Sequence, residues 1–310
     1  MRQAALKMVH ELALDHPKVL FIGSDLGAGT LKDLRAERPE QFFMEGVCEA
    51  NIIGMAAGLA MEGFVPYFNT IATFITRRCL EQVAIDICLH NLPVRLLGSG
   101  GGLVYAPLGP THLAFDDMAL LRTMPNMAIV APSDAEEMRR AIAASLDWPG
   151  PLYMRIAKGN DPVISRPDTP FAIGRAIMLR DGSDVGFVST GIMTGRCLAA
   201  ADRLAAEHGI EASVLHMHTV KPLDEAALLA LANSTGTLVT VEEHSRNGGL
   251  GTAVLETIGD SRLPVRVHRL GLPDRFPEGY GSQDHLLTKA GLDATQIAAA
   301  AATLLREIRL

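Results

Sequence analysis

The chain has 310 residues, 48% of them hydrophobic, and 35 acidic against 28 basic side chains give a formal net charge of −7. That length suits two domains with sizeable cores, and the acidic balance argues against a nucleic-acid binder, which would carry a basic patch or stripe. Four cysteines (Cys48, Cys79, Cys88, Cys197) are scattered through apolar surroundings with no CxxC pair, so neither a zinc site nor a disulfide framework is signalled. The opening "MRQAALKMVHELALDH" carries acids and lacks the apolar core of a signal peptide, and no apolar run is long enough to span a membrane. The expectation is a soluble cytoplasmic protein with no membrane or nucleic-acid partner.

In chain order, a helical pattern over 2–15 precedes the apolar run "KVLFIG" (18–23). Helical patterns follow at 48–62, 73–90, 114–123 and 134–146, separated by the strand-like runs "FVPYFN" (64–69), "LPVRLLGSG" (92–100) and "MAIVAP" (127–132). Strands alternating with helices predict a mostly parallel sheet covered on both faces. From 151 to 174 the pattern breaks, and Pro162, Pro167 and Pro170 read as a linker. The alternation then restarts: strand 184–191, a helix to about Glu207, strand 212–217, helix 224–233, strands 237–243 and 264–270, and a closing helix 293–308. The predicted fold class is α/β with two domains, 1–165 and 175–310, each a mostly parallel sheet with helices on both faces.

The segment "GVCEANIIGMAAGLAMEGF" (46–64) raises a specific question. Its apolar residues Ile52, Ile53, Met55, Leu59 and Met61 do not share one face, which predicts a helix buried all round. Gly54 and Gly58 share a face and would let another helix come close. Each costs about 1 kcal/mol against alanine in a helix interior. Glu49 stands in the first turn, where the helix dipole favours an anion. By position alone it is a terminal carboxylate with a local partner.

The segment resembles the catalytic-glutamate helix of the transketolase family of thiamine-diphosphate enzymes. The likeness continues through "TFITRRCLEQV" (73–83), similar to the family's pyrimidine-stacking segment, and "GLVYAPLGPTH" (102–112), similar to its substrate loop. "NMAIVAPSDAEEM" (126–138), "VTVEEHSRNGGLGTAVLE" (239–256) and "GLPDRFPEGYGSQDHLLTKAGL" (271–292) extend it over nearly the whole chain. The two domains would then be the pyrimidine-binding domain and the transketolase C-terminal domain.

The resemblance implies that Glu49 is catalytic. A buried, fixed carboxylic acid bonded to one pyrimidine nitrogen stabilises the imino form, whose other nitrogen removes the thiazolium proton. It implies a stacking role for Phe74, four residues before Arg78, with Ile71 where many members have another aromatic. Asp25 in "GSDLG" matches an acid near the cofactor; by itself it reads as a turn or cap residue. His112 would donate a hydrogen bond to a substrate carbonyl or hydroxyl. Arg2 and Lys158 fall where relatives carry phosphate-binding cations, and Lys158 offers a point charge in place of the usual bidentate arginine. His244 is expected to be structural or interfacial. Relatives acting on standard sugar phosphates have an acid four residues before the histidine; here that position is Leu108, which cannot accept a hydroxyl's hydrogen bond.

Full-length transketolases hold the diphosphate and its metal through Gly-Asp-Gly in a preceding domain. That tripeptide is absent here: "RDGSD" (180–184) and "IGDSR" (258–262) are not it. The expectation is the C-terminal subunit of a split transketolase, with no metal ligands of its own. Its partner would be an N-terminal subunit that binds most of the thiamine diphosphate and the Mg2+ or Ca2+. Self-association to α2β2 and a sugar-phosphate substrate are also expected, with the 48–62 helix at the subunit contact. The alternatives are a 2-oxo acid dehydrogenase β-type or deoxyxylulose-phosphate-synthase-like subunit, or a non-catalytic assembly subunit.

Overall fold

A computed structural model describes residues 1–157, 159, 161–166 and 168–309. Twelve strands are seen among the described residues: β1 Val19–Gly23, β2 Phe42–Met44, β3 Val65–Ile71, β4 Arg95–Ser99, β5 Ala128–Val130, β6 Leu152–Ile156, β7 Ile177–Arg180, β8 Val185–Ser189, β9 Ala212–His216, β10 Thr219–Lys221, β11 Thr237–Ser245 and β12 Arg266–Leu272. They form a seven-stranded sheet ordered β10-β5-β6-β4-β3-β1-β2 and a five-stranded sheet ordered β12-β11-β8-β9-β7. All pairings are parallel except β10 on β5 and β7 on β9. Strands β1, β4, β6, β8, β9 and β11 are buried at every residue, as strands covered on both faces must be.

The covering helices follow from their apolar stripes. Leu6 and Val9 of Arg2–Asp15 pack with Met138 and Ile142 of Ala135–Ser145 on one face of the first sheet. Ile52 and Ile53 of Glu49–Met61 pack with Val83 and Ile87 on the other. In the second sheet, Met193–His208 and Ala294–Arg309 cover one face, while Glu225–Thr235 and Leu250–Ser261 cover the other.

The stretch 151–174 is not all linker, contrary to expectation: its start is β6, which lies between β4 and β5. Asp134 caps the helix Ala135–Ser145 by accepting from the Glu136 and Glu137 amides, and also takes the Ile164 and Ser165 amides. The connecting segment is therefore tied to the first domain. The expected helix 73–90 is three pieces, Ala72–Thr76, Leu80–Gln82 and a π-helical turn Val83–Cys88. The helix Glu49–Met61 is not buried all round: Asn51, Gly54, Gly58 and Met61 face outward. A methyl at Gly58 would meet nothing within 4 Å, and one at Gly54 only Asp86 Oδ2 at 3.9 Å. Asp86 of the Val83–Cys88 turn therefore meets that face at Gly54, while Gly58 is open. Cys48 is exposed, unlike the other three cysteines.

The two sheets are joined by buried polar contacts. Arg155 of β6 donates to both Asp117 oxygens at 2.9 and 3.1 Å and to the Glu243 carbonyl at 2.9 Å, and Tyr153 donates to Asp117 at 2.7 Å. The Glu243 carboxylate accepts from the Leu103 amide at 2.9 Å, so the second domain anchors the start of the 102–112 loop. Gly102 stands there at φ +67, and a Cβ would strike the Glu243 side chain at 2.4 Å; only glycine serves. His244 is buried at the same seam, with Nδ1 2.7 Å from the Ser245 carbonyl and Nε2 accepting from the Ala119 amide at 3.2 Å. His216 Nε2 lies 2.9 Å from Glu137 Oε2, pairing the second domain with the first.

Candidate active site

The site lies beyond the carboxyl ends of β1 and β3, where open parallel sheets place their ligands. Glu49 is the first residue of its helix and is 1% exposed. Its Oε2 accepts from Arg78 Nη1 at 2.7 Å, and its Oε1 from the Thr70 hydroxyl at 3.3 Å. The helix N-terminus and the guanidinium both favour an anion there. Arg78 is half-exposed, and its guanidinium carbon lies 4.3 Å from the Phe74 ring centroid. The Phe74 and His112 rings meet edge-on at 5.3 Å. Glu49, Arg78, Phe74 and His112 thus form one continuous cluster. Ile71 is buried beside it, capping the short helix Ala72–Thr76 that carries Phe74.

His112 is half-buried, with Nδ1 2.9 Å from Thr111 Oγ1. Its amide donates to the Gly109 carbonyl at 3.1 Å, closing the "GPT" turn. Gly109 takes φ +76, and a Cβ there would lie 2.8 Å from the Tyr280 ring. Leu108 is half-exposed and lines a cavity of about 260 Å³ with Arg2, Ser99, Gly100 and Tyr105. Burial pushes the Tyr105 phenol up, while the Arg2 guanidinium opposes that shift. Arg2 also lines a second cavity with Asp25. The structure therefore brings Arg2, Leu108 and Asp25 to one side of the site. Lys158 lies outside the described residues.

Asp25 is exposed, and its Oδ1 is 2.9 Å from Ser24 Oγ. Ser24 Oγ is in turn 2.8 Å from Thr70 Oγ1. Sequence reasoning passed over Ser24 and Thr70; their signal was only a hydroxyl just past or near the end of a buried strand. It also passed over Arg77, which donates to both oxygens of Asp116 at 2.8–3.1 Å and fixes the segment after Phe74 against the chain just past the 102–112 loop.

Thiamine diphosphate fits this chain at its pyrimidine end. The buried Glu49 carboxyl and the Phe74 ring, linked through Arg78, are the proton-holding group and stacking face such a ring needs. Among the described residues, no three His, Cys, Asp or Glu side chains are grouped to hold a metal ion.

The pyrimidine-binding domain of transketolase matches residues 1–162, and the transketolase C-terminal domain matches residues 174–297. A 6-deoxy-6-sulfo-D-fructose transketolase subunit of Clostridium sp. strain MSTE9 is 37% identical over 97% of this chain and 93% of its own length. An apulose-4-phosphate transketolase subunit of Phocaeicola vulgatus is 38% identical over 91% of this chain and 90% of its own length. The 1-deoxy-D-xylulose-5-phosphate synthase of Syntrophotalea carbinolica is 41% identical, but the chain spans only 44% of its length. A solved split-gene transketolase, an inactive beta4 tetramer, superposes with a TM-score of 0.89 at 37% identity, covering 98% of this chain and 97% of that one. With two domain models in order and near full-length likeness to transketolase subunits, the chain belongs to the transketolase family and spans its pyrimidine-binding and C-terminal domains.

Proposed function

We propose that this chain is the catalytic C-terminal subunit of a split transketolase, transferring a two-carbon ketol unit from a phosphorylated ketose to an aldose. The observation that carries the reading is Glu49, buried and joined through Arg78 to Phe74 and His112, in a sequence without the family's diphosphate motif. When bound, thiamine diphosphate supplies the electron sink for carbon–carbon cleavage. Glu49 holds a proton at its carboxyl for the pyrimidine nitrogen. Phe74 offers its face for stacking, and Ile71, Arg78 and Asp25 line the same cradle. His112 donates to the substrate oxygen. Arg2 and Lys158 attract the phosphate, and Leu108 leaves one hydroxyl unread.

The partner subunit would supply the diphosphate-binding domain and the Mg2+ or Ca2+, in a cytoplasmic α2β2 heterotetramer serving carbohydrate metabolism. The outward stripe Asn51, Gly54, Gly58 and Met61 supports a subunit contact along the glutamate helix. The domain division we propose is 1–165 and 175–310. The likeness to deoxyxylulose-phosphate synthases favours a synthase-type subunit as the second reading; the near full-length likeness to separate transketolase subunits weighs against it. The test is ketol transfer after mixing the chain with its partner. Loss of transfer on Glu49→Ala supports the catalytic reading, and retained transfer makes the chain a scaffold. Condensation of pyruvate with glyceraldehyde phosphate, without ketol transfer, would favour the synthase.

A further inference from the structure

The two oxygens of Glu49 face different neighbours. Oε2 meets the half-exposed Arg78, and Oε1 meets Thr70 on the sheet side. From Oε1 a continuous row of oxygens runs outward: Thr70 Oγ1 at 3.3 Å, then Ser24 Oγ at 2.8 Å, then Asp25 Oδ1 at 2.9 Å. Glu49, Thr70 and Ser24 are each at most 1% exposed, whereas Asp25 is exposed. The row thus has one buried carboxyl end, two buried hydroxyls and one carboxyl end at the surface.

We propose that Ser24 and Thr70 form a proton relay that connects Glu49 to solvent through Asp25. This rests on the reading of Glu49 as the proton-holding acid. The proton count of the row is the argument. It has three gaps and two hydroxyl protons, so with both carboxylates ionised one gap lacks a proton. One added proton fills all three. With that proton on Asp25, Asp25 donates to Ser24, Ser24 to Thr70 and Thr70 to Glu49. With it on Glu49, every donor points the other way.

The interconversion is balanced and leaves no charge on either hydroxyl. The Asp25 O–H bond breaks as a Ser24 O–H forms; the old Ser24 O–H breaks as a Thr70 O–H forms. The old Thr70 O–H then breaks as the Glu49 O–H forms. The net change is one proton moved from the surface carboxyl to the buried one. Arg78 has no acceptor to offer Oε2, so that side cannot relay a proton. Other charged or titratable groups nearby are Cys79 and Arg78 around Glu49, and Arg2 and Tyr105 around Asp25. The Cys79 thiol is pushed up to about 12 by burial, with Glu49 adding to that shift, which leaves it protonated and outside the relay.

The experiment uses the complex with the partner subunit, thiamine diphosphate and magnesium. Thr70→Val keeps the side-chain shape and removes the hydroxyl; Ser24→Ala breaks the next link; Thr70→Ser restores it. Cofactor affinity is read by calorimetry, and the exchange of the thiazolium C2 proton for deuterium by quenched NMR, across mixtures of light and heavy water. The expected result is affinity within about twofold of wild type for all three variants. Exchange should fall roughly tenfold or more in Thr70→Val and Ser24→Ala and return in Thr70→Ser. The wild type should give a bowed dependence on deuterium fraction, the sign of several protons moving together, and Thr70→Val a straight one. Wild-type exchange rates in both Thr70→Val and Ser24→Ala overturn the relay. A wild-type complex that neither binds the cofactor nor exchanges its C2 proton instead overturns the reading of Glu49. A variant that loses affinity along with exchange, and is not rescued by serine, makes the hydroxyls structural and also overturns the relay.

Discussion

Arg78 holds Glu49 and covers Phe74 with the same guanidinium, at 2.7 Å from the carboxylate oxygen and 4.3 Å from the ring centroid. The acid is 1% exposed and the arginine 45%, so the carboxylate depends on a partner that solvent partly screens. Breaking a fully buried pair costs about 3–5 kcal/mol; screening of the exposed half reduces that here to about 1–3 kcal/mol. Arg78→Ala is therefore expected to lower the urea midpoint, and Glu49→Gln in the same chain to recover most of the loss. A double mutant no more stable than Arg78→Ala would show that the pair is not coupled.

The isolated chain is expected to bind thiamine diphosphate weakly or not at all, even with magnesium. It contributes the pyrimidine face but no grouped metal ligands among its described residues. Calorimetric titration of the chain alone checks this. Tight binding without a partner would remove the case for a split site.

Leu108 is half-exposed on the 102–112 loop, between Tyr105 and the Gly109 turn that presents His112. A leucine merely fails to bond a hydroxyl, so its discrimination at that carbon is modest, whereas a site built to bond one rejects its absence more strongly. Leu108→Asp is expected to shift kcat/KM towards xylulose- or fructose-type phosphate donors by about tenfold, or roughly 1.4 kcal/mol. A donor panel in the reconstituted enzyme measures it. An unchanged ranking, with wild type already preferring those donors, would mean the loop does not read that hydroxyl.

Acid should loosen the joint between the domains. The fully buried His218 is held down from 6.5 to about 4, first by burial and then by the neighbouring His216, against the pull of Glu137. The unfolded chain takes up this proton near 6.5, while the folded chain resists it until about 4. The stability contribution is complete above 6.5 and is lost as pH falls from 6.5 to about 4, by up to ~3 kcal/mol. Burial would raise the Glu137 carboxyl, but His216, His218 and the Ser133 amide hold it at about 2. Its contribution is present above 4.5 and is lost as pH falls towards 2. Urea midpoints measured across pH should therefore decline in two stages. His218→Phe, which keeps a ring stacked on Phe171, should flatten the stage between 6.5 and 4 and leave a lower stage that is weakened by the loss of His218's pull on Glu137. An unaltered upper stage would assign it to another group.

The local order of strands and helices was legible in the sequence because each element carries its own periodicity. β1, β3, β8, β11 and the glutamate helix were expected within a few residues of where they lie. The cluster of Glu49, Phe74 and His112 was reached through family motifs; nothing local distinguishes Phe74 from a core phenylalanine or Glu49 from a terminal acid. β6 was hidden because three prolines follow it, and a strand buried on both faces shows no alternation. β10 was missed because its three residues leave the second domain's alternation to join the first sheet, which no local pattern announces. The glycine face of the glutamate helix turns outward in this chain, since hydrophobicity reports what a surface can bury and not whether this chain buries it.

The residue types that could do chemistry are thus written in the sequence, but which of them touch is set by the sheet. Gly23 pairs with Asn69 across β1 and β3, so the next residues, Ser24 and Thr70, emerge side by side although 46 positions separate them. Arg78 reaches Glu49 across 29 positions only because the segment after β3 turns back over the start of the glutamate helix. Periodicity is a property of neighbours along the chain. Register and crossover are properties of strands that meet late in the sequence, and they placed these partners within hydrogen-bond reach.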